Sequence, residues 1–325
     1  MVSCGIISAT DPAEPLSIAY AVGTRNMAGL LLLRGDNMPT VAATKCFRTL
    51  EEQVNLLVSR GLNVDNRQLA IDTLKQINYY RLSAYSLTLR KNDEFYPQAT
   101  FENILEIFNC DNSFRGLVLK YTSVIEGAFR TYISYQHSKV YKPLGYLNNQ
   151  NFHSEARHAK FINRLYSLIE NSKDVFIEHH KNDLSGIYPF WVAIEITTFD
   201  VLSKLYKNLL PTDRAIIAKD YYNIPYAYIE NWLEAAVIAR NIGAHGGRFF
   251  NRPIPYKIKL PSKEQGKFSN NQAFAFIYSI YKLLPTEEDK SRLIVDFNRL
   301  FIDYPFVSLK HFGFPDHWEK LLLST

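Results

Sequence analysis

A chain of 325 residues that is 47% hydrophobic can bury one large core or two smaller ones, and it is too apolar and too weakly charged to be disordered throughout. Its net charge of +5, with a pI near 8.9, tolerates an acidic partner such as RNA without requiring one. The three cysteines, Cys4, Cys46 and Cys110, are odd in number and lack C-x-x-C spacing, which argues against a disulfide framework or a thiolate zinc site and points to a reducing, cytoplasmic setting.

Residues 1–40 contain Gly, Ala, Ser and three Pro without a sustained helical period and read as an N-terminal extension, with Met38 as an alternative start. Their apolar stretches are broken well short of the roughly 20 residues that cross a bilayer, so no membrane association is expected. From Leu50 to Arg60 and from Gln68 to Tyr80 apolar residues fall at helical spacing, with Gly61 as a stop. Three tyrosines then surround one arginine in Asn78-Tyr79-Tyr80-Arg81-Leu82-Ser83-Ala84-Tyr85. Tyr80 and Arg81 could stack a base and hold a phosphate; a tyrosine-rich packing corner is the other reading.

The longest helical pattern runs from Phe101 to about Tyr141, with an interruption expected near Asn109-Cys110-Asp111-Asn112. On its polar side Glu126, Arg130 and His137 fall within about 40° of one another, either a site that handles phosphate and protons or a solvated face with an i,i+4 ion pair. Residues 151–183 read as a further helix. An apolar run from Trp191 to Leu210 closes at Pro211, a basic loop spans Lys257–Lys267, and helical patterns follow at Asn271–Leu284 and Thr286–Ile302. No run of alternating strands is seen, so the class is all-α.

Between Asn223-x-Pro225 and Gly246-Gly247 lies a helix of about 20 residues ending at His245. With Leu233 set at 0°, Ile229, Trp232, Ala236 and Val237 form an apolar stripe, and Arg240 falls inside it at about −20°. A guanidinium pointed at the core needs a carboxylate or a bound anion. Asn241, Glu234 and His245 border the stripe near +80°, +100° and +120°. RNA cleavage needs a proton shuttle and a cation for the charge that builds on phosphorus, and the substrate supplies its own 2′-hydroxyl nucleophile. His245 can shuttle and Arg240 can stabilise, and the negative end of the helix dipole favours imidazolium in the last turn. A histidine that merely caps carbonyls and an arginine in an internal ion pair remain open as alternatives.

Arg240-Asn241-x-x-x-His245 resembles the R-x(4-6)-H signature of HEPN ribonucleases, in which a polar residue follows the arginine. Together with Asn78-Tyr79-Tyr80-Arg81-Leu82-x-x-Tyr85, Ile125-Glu126-x-x-x-Arg130, Pro189-Phe190-Trp191-Val192 and the continuation Arg248-x-x-Asn251-Arg252, it resembles the Abi-like family of abortive-infection proteins, the AbiD and AbiF group, over about residues 45–315. The remaining 316–325 are set apart as a tail. That resemblance implies a HEPN-like helical bundle with flanking helices, a defence or toxin-antitoxin role, a homodimer that joins two copies of the motif, and a noncoding RNA or protein antitoxin as partner. It implies Arg240 and His245 as catalytic residues, Asn241 orienting them and Glu126 supporting them. Arg248, Asn251 and Arg252 are expected to contact RNA as charge-assisted or polar donors, alongside Arg130, Arg81 and Tyr80. The reaction implied is transesterification to a 2′,3′-cyclic phosphate and a 5′-hydroxyl, with no metal and no cofactor. Arg130 and His137 fit the loose signature a second time, although Thr131 stands where a more polar residue is usual.

Two other classes compete. A HEPN module can bind RNA without cutting it. A metal-dependent hydrolase would draw on His153, His158, His179 and His180, but their spacings match no zinc pattern and adjacent helical histidines diverge by about 100°.

Overall fold

The computed structural model describes residues 46–323. Among them it is all-α: 13 helices and one two-stranded hairpin. The expected extension over residues 1–40 lies outside the described residues.

The N-terminal helices are α1 (Leu50–Ser59), α2 (Arg67–Gln76) and α3 (Tyr79–Ser83). The single helix expected over Gln68–Tyr80 is two. Ile77 is extended (φ −122°, ψ 119°), and the Asn78 side chain accepts the Tyr80 N–H and so starts α3. Strands β1 (Arg90–Lys91) and β2 (Glu94–Phe95) pair antiparallel around Asn92 and Asp93, both at positive φ. That Asn-Asp turn is a hairpin signal that the sequence carries.

Helix α4 (Phe101–Tyr141) runs unbroken for 41 residues from a capping box at Thr100 and Asn103. The interruption expected near Asp111 does not occur. Asp111 points inward and spends its carboxylate on tertiary partners instead of competing for its own backbone. Residues 151–183 also divide, into α5 (Glu155–Asn171) and α6 (Val175–Asp183), because Ser172 turns extended and its hydroxyl bonds Asp174.

Next come the short α7 (Phe190–Ala193), α8 (Phe199–Asn208), α9 (Pro211–Tyr222) and α10 (Tyr226–Ala244). Pro211 opens α9 at its first turn, where no backbone N–H is needed. The chain ends with α11 (Ala273–Leu283), α12 (Glu287–Asp303) and α13 (Trp318–Leu323). Within the segment set apart as a tail, Trp318 and Leu322 are buried and α13 packs on α11.

Helix α10 is central, packed against α4, α8, α9 and α11. Its computed stripe holds: Ile229, Trp232, Leu233, Ala236 and Val237 are all buried. They meet α11, which is apolar on nearly every side and buried from Ala273 to Tyr281. Gly243 lets the last turn of α10 approach α4 closely, since a Cβ there would lie 3.3 Å from the Leu119 side chain. No helix among the described residues is long and apolar enough to cross a membrane.

Candidate active site

Helix α10 ends in a Schellman turn. His245 is the C-cap, Gly246 follows at φ +66°, and the Gly246 and Gly247 N–H groups bond the carbonyls of Gly243 (3.3 Å) and Ile242 (2.7 Å). His245 is thereby left exposed at the corner where the chain turns away.

Arg240 is half-buried and not sealed in the core. Its Nη1 donates to Asn241 Oδ1 at 3.2 Å, and it makes no ion pair among the described residues. Asn241 thus holds the arginine with its side chain and the His245 N–H with its carbonyl, at 3.0 Å. Across from them on α4, Glu126 bonds Arg130 at 2.5 Å. Burial pushes the Glu126 carboxyl upward, and the charges of Arg130 and then Arg240 oppose that rise. Glu126 therefore feels Arg240 electrostatically while its hydrogen bond goes to Arg130.

The other expected residues divide into two groups. Arg81, on α3, reaches the site: its Nη2 donates to the Gly246 carbonyl at 3.1 Å and its guanidinium lies 5.9 Å from the Phe108 ring centre. Tyr80 is exposed beside it and meets Tyr79 edge to face. Asn251 is exposed at positive φ, with its N–H on the His311 carbonyl, and Arg252 is half-buried close by. Arg248 and Arg130 are occupied within the chain. Arg248 donates to the Ala84 carbonyl over the Tyr85 ring, and Arg130 spans Glu126 and the Thr197 carbonyl.

The second match to the loose signature is closed off from solvent. His137 is fully buried between Phe152, Phe190 and Tyr141, and neither ring nitrogen has a hydrogen-bond partner. Burial, then the nearby His158, lowers it to about 4. Three of the histidines weighed as metal ligands have partners within the chain: His158 bonds the Tyr146 carbonyl, His179 pairs with Asp183, and His180 bonds the Ile187 carbonyl.

Sequence reasoning missed Asp111 and Arg115. Asp111 is fully buried and accepts from Tyr85 Oη (2.7 Å), Arg115 Nη1 (2.6 Å) and the N–H groups of Phe249 (3.0 Å) and Phe250 (2.9 Å). These bonds anchor the chain that leaves the motif. Only the i,i+4 spacing of Asp111 and Arg115 hinted at the pair.

Comparison with curated proteins and with solved structures gives no match. A family model described as Abi-like protein matches residues 72–251, a span running from α2 through Glu126, Arg240 and His245 to Asn251. The chain belongs to the Abi-like protein family.

Proposed function

We propose that this protein is a metal-independent endoribonuclease of the HEPN type, acting as an abortive-infection or toxin-type effector. Family membership points to the defence role. The observation that carries the chemistry is Arg240: a half-buried guanidinium with no ion-pair partner among the described residues, about one and a half turns from an exposed histidine. Such a cation is matched best by an anion that arrives from solvent, and a phosphodiester is one.

In the reaction, His245 takes the proton from a ribose 2′-hydroxyl. The 2′-oxygen attacks phosphorus, Arg240 donates to the non-bridging oxygens as charge accumulates, and the bond to the 5′-oxygen breaks. The departing 5′-oxygen takes up a proton, giving a 2′,3′-cyclic phosphate and a 5′-hydroxyl. In a homodimer the His245 of a second copy can supply that proton. Asn241 orients Arg240 through its side-chain oxygen.

Incubating the purified protein with total RNA in EDTA, and sequencing the RNA ends, tests this reading. New ends bearing cyclic phosphate, absent with His245→Ala, are expected. RNA bound but left intact would make the protein a binding module instead.

A further inference from the structure

The face of α10 that carries Asn241 and His245 continues toward the start of the helix. Relative to Leu233, Glu230, Glu234, Asn241 and His245 lie within about 60° of one another, and none of them is fully buried. At its far end this face forms one wall of a cavity of about 770 Å³, whose other walls are Lys207 of α8 and the loop from Tyr256 to Asn270.

That loop is held to α10 through its backbone. Asn231 Oδ1 accepts the Lys259 N–H at 2.6 Å, Asn231 Nδ2 donates to the Lys257 carbonyl at 3.1 Å, and Trp232 Nε1 donates to the Lys259 carbonyl at 2.8 Å. Ile258 is buried between the two lysines and Leu260 beyond them, so Lys257 and Lys259 are left exposed on the opposite side. Both acids of the cavity are already balanced. Glu230 pairs with Arg214, and Glu234 meets Lys207 at 3.5 Å and accepts from Tyr256 Oη at 3.3 Å. Lys257 and Lys259 make no ion pair among the described residues, and Lys259 lies 5.6 Å from the Tyr228 ring centre. The cavity therefore has a surplus of two cations, with the half-buried Phe268 and the polar side chains of Gln265, Ser269 and Asn270 around them.

Cations for a phosphate, a ring to lie against a base and several hydrogen-bonding groups suit a ribonucleotide. The rise along α10 separates Glu234 from Asn241 by roughly 10 Å, and Asn231 from His245 by roughly 20 Å. A single strand held at His245 can span that length with several nucleotides. We propose that the cavity is a subsite for a flanking nucleotide of single-stranded RNA, its phosphate held by Lys257 and Lys259. The inference rests on the part of the proposed function that has RNA held at His245, not on its being cut there.

The test uses the full chain carrying His245→Ala, so that binding is measured without cleavage. The probes are a fluorescein-labelled oligouridylate long enough to span α10, a labelled uridine dinucleotide, and ATP. Adding Lys257→Ala and Lys259→Ala should raise the Kd for the long probe about tenfold. The slope of log affinity against log salt should fall by roughly 0.7, the value for one phosphate contact on a single strand. The dinucleotide, too short to reach both ends, should lose less than the long probe.

An unchanged Kd and salt slope for the long probe would overturn the subsite, even if wild-type protein cuts RNA. Lysine-dependent binding of ATP without lysine-dependent binding of the long probe would overturn it too, in favour of a free nucleotide. If wild type fails to cut RNA yet binds the long probe through the two lysines, the cleavage reading falls and the subsite stands. Both lysines are exposed and their loop is held by backbone atoms, so the variants keep the fold.

Discussion

Arg81 and Gly246 meet across 165 residues of sequence: the arginine donates to the glycine carbonyl at 3.1 Å, and its guanidinium occupies the space a Cβ on Gly246 would need, 2.7 Å away. The turn after His245 is thus shaped by the tyrosine-rich segment of α3.

Gly246→Ala should cost about 1–2 kcal/mol, from the left-handed backbone (φ +66°) and the displaced arginine. Urea unfolding of Gly246→Ala, Arg81→Ala and the double variant measures it. The double variant should lose less than the sum of the two, because the clash disappears with the arginine.

Asp111→Ala removes the acceptor of four hydrogen bonds and leaves Arg115 buried beside it without its partner. A loss of about 3–5 kcal/mol is expected in chemical denaturation. A loss under about 1 kcal/mol would contradict the anchoring role.

His137 is neutral in the fold and held at about 4, against 6.5 when the chain is unfolded. The unfolded state therefore binds more protons between those values, and stability falls as pH drops from 6.5 toward 4. Wild type should lose roughly 2–3 kcal/mol across that window relative to His137→Phe, read as the difference between their stability–pH curves.

His245→Ala and Arg240→Lys test the site without touching the core. Each should leave the unfolding midpoint nearly unchanged, since His245 is exposed and Arg240 is only half-buried and keeps its positive charge as Lys. Cleavage should fall by about 10²-fold or more for His245→Ala. It should also fall for Arg240→Lys, because an ammonium cannot grip two phosphate oxygens as a fork does.

Much of this arrangement is legible in the sequence because it is local. Pro225 and Gly246 bound α10, and a 100° wheel places Ile229, Leu233 and Val237 in the core. The wheel also places Arg240 inward, and there it fails by a small margin, since the residue is half-buried: a wheel carries no information about where the neighbouring helices end. Asp111 was harder. A polar residue in mid-helix reads as a break unless its partners are known, and two of them, Phe249 and Phe250, lie 138 and 139 residues away. The cavity at Lys257 and Lys259 was visible only as a basic loop, since the bonds from Asn231 and Trp232 that orient it are tertiary.

The anchoring by Asp111 has a kinetic meaning. The backbone on one side of His245 is the end of a packed helix and on the other is fastened to α4 at Phe249 and Phe250. The imidazole is therefore mounted on a fixed pivot, and it samples its orientations by rotation about two side-chain torsions. That search takes picoseconds to nanoseconds, far faster than any rearrangement of the chain that bears it.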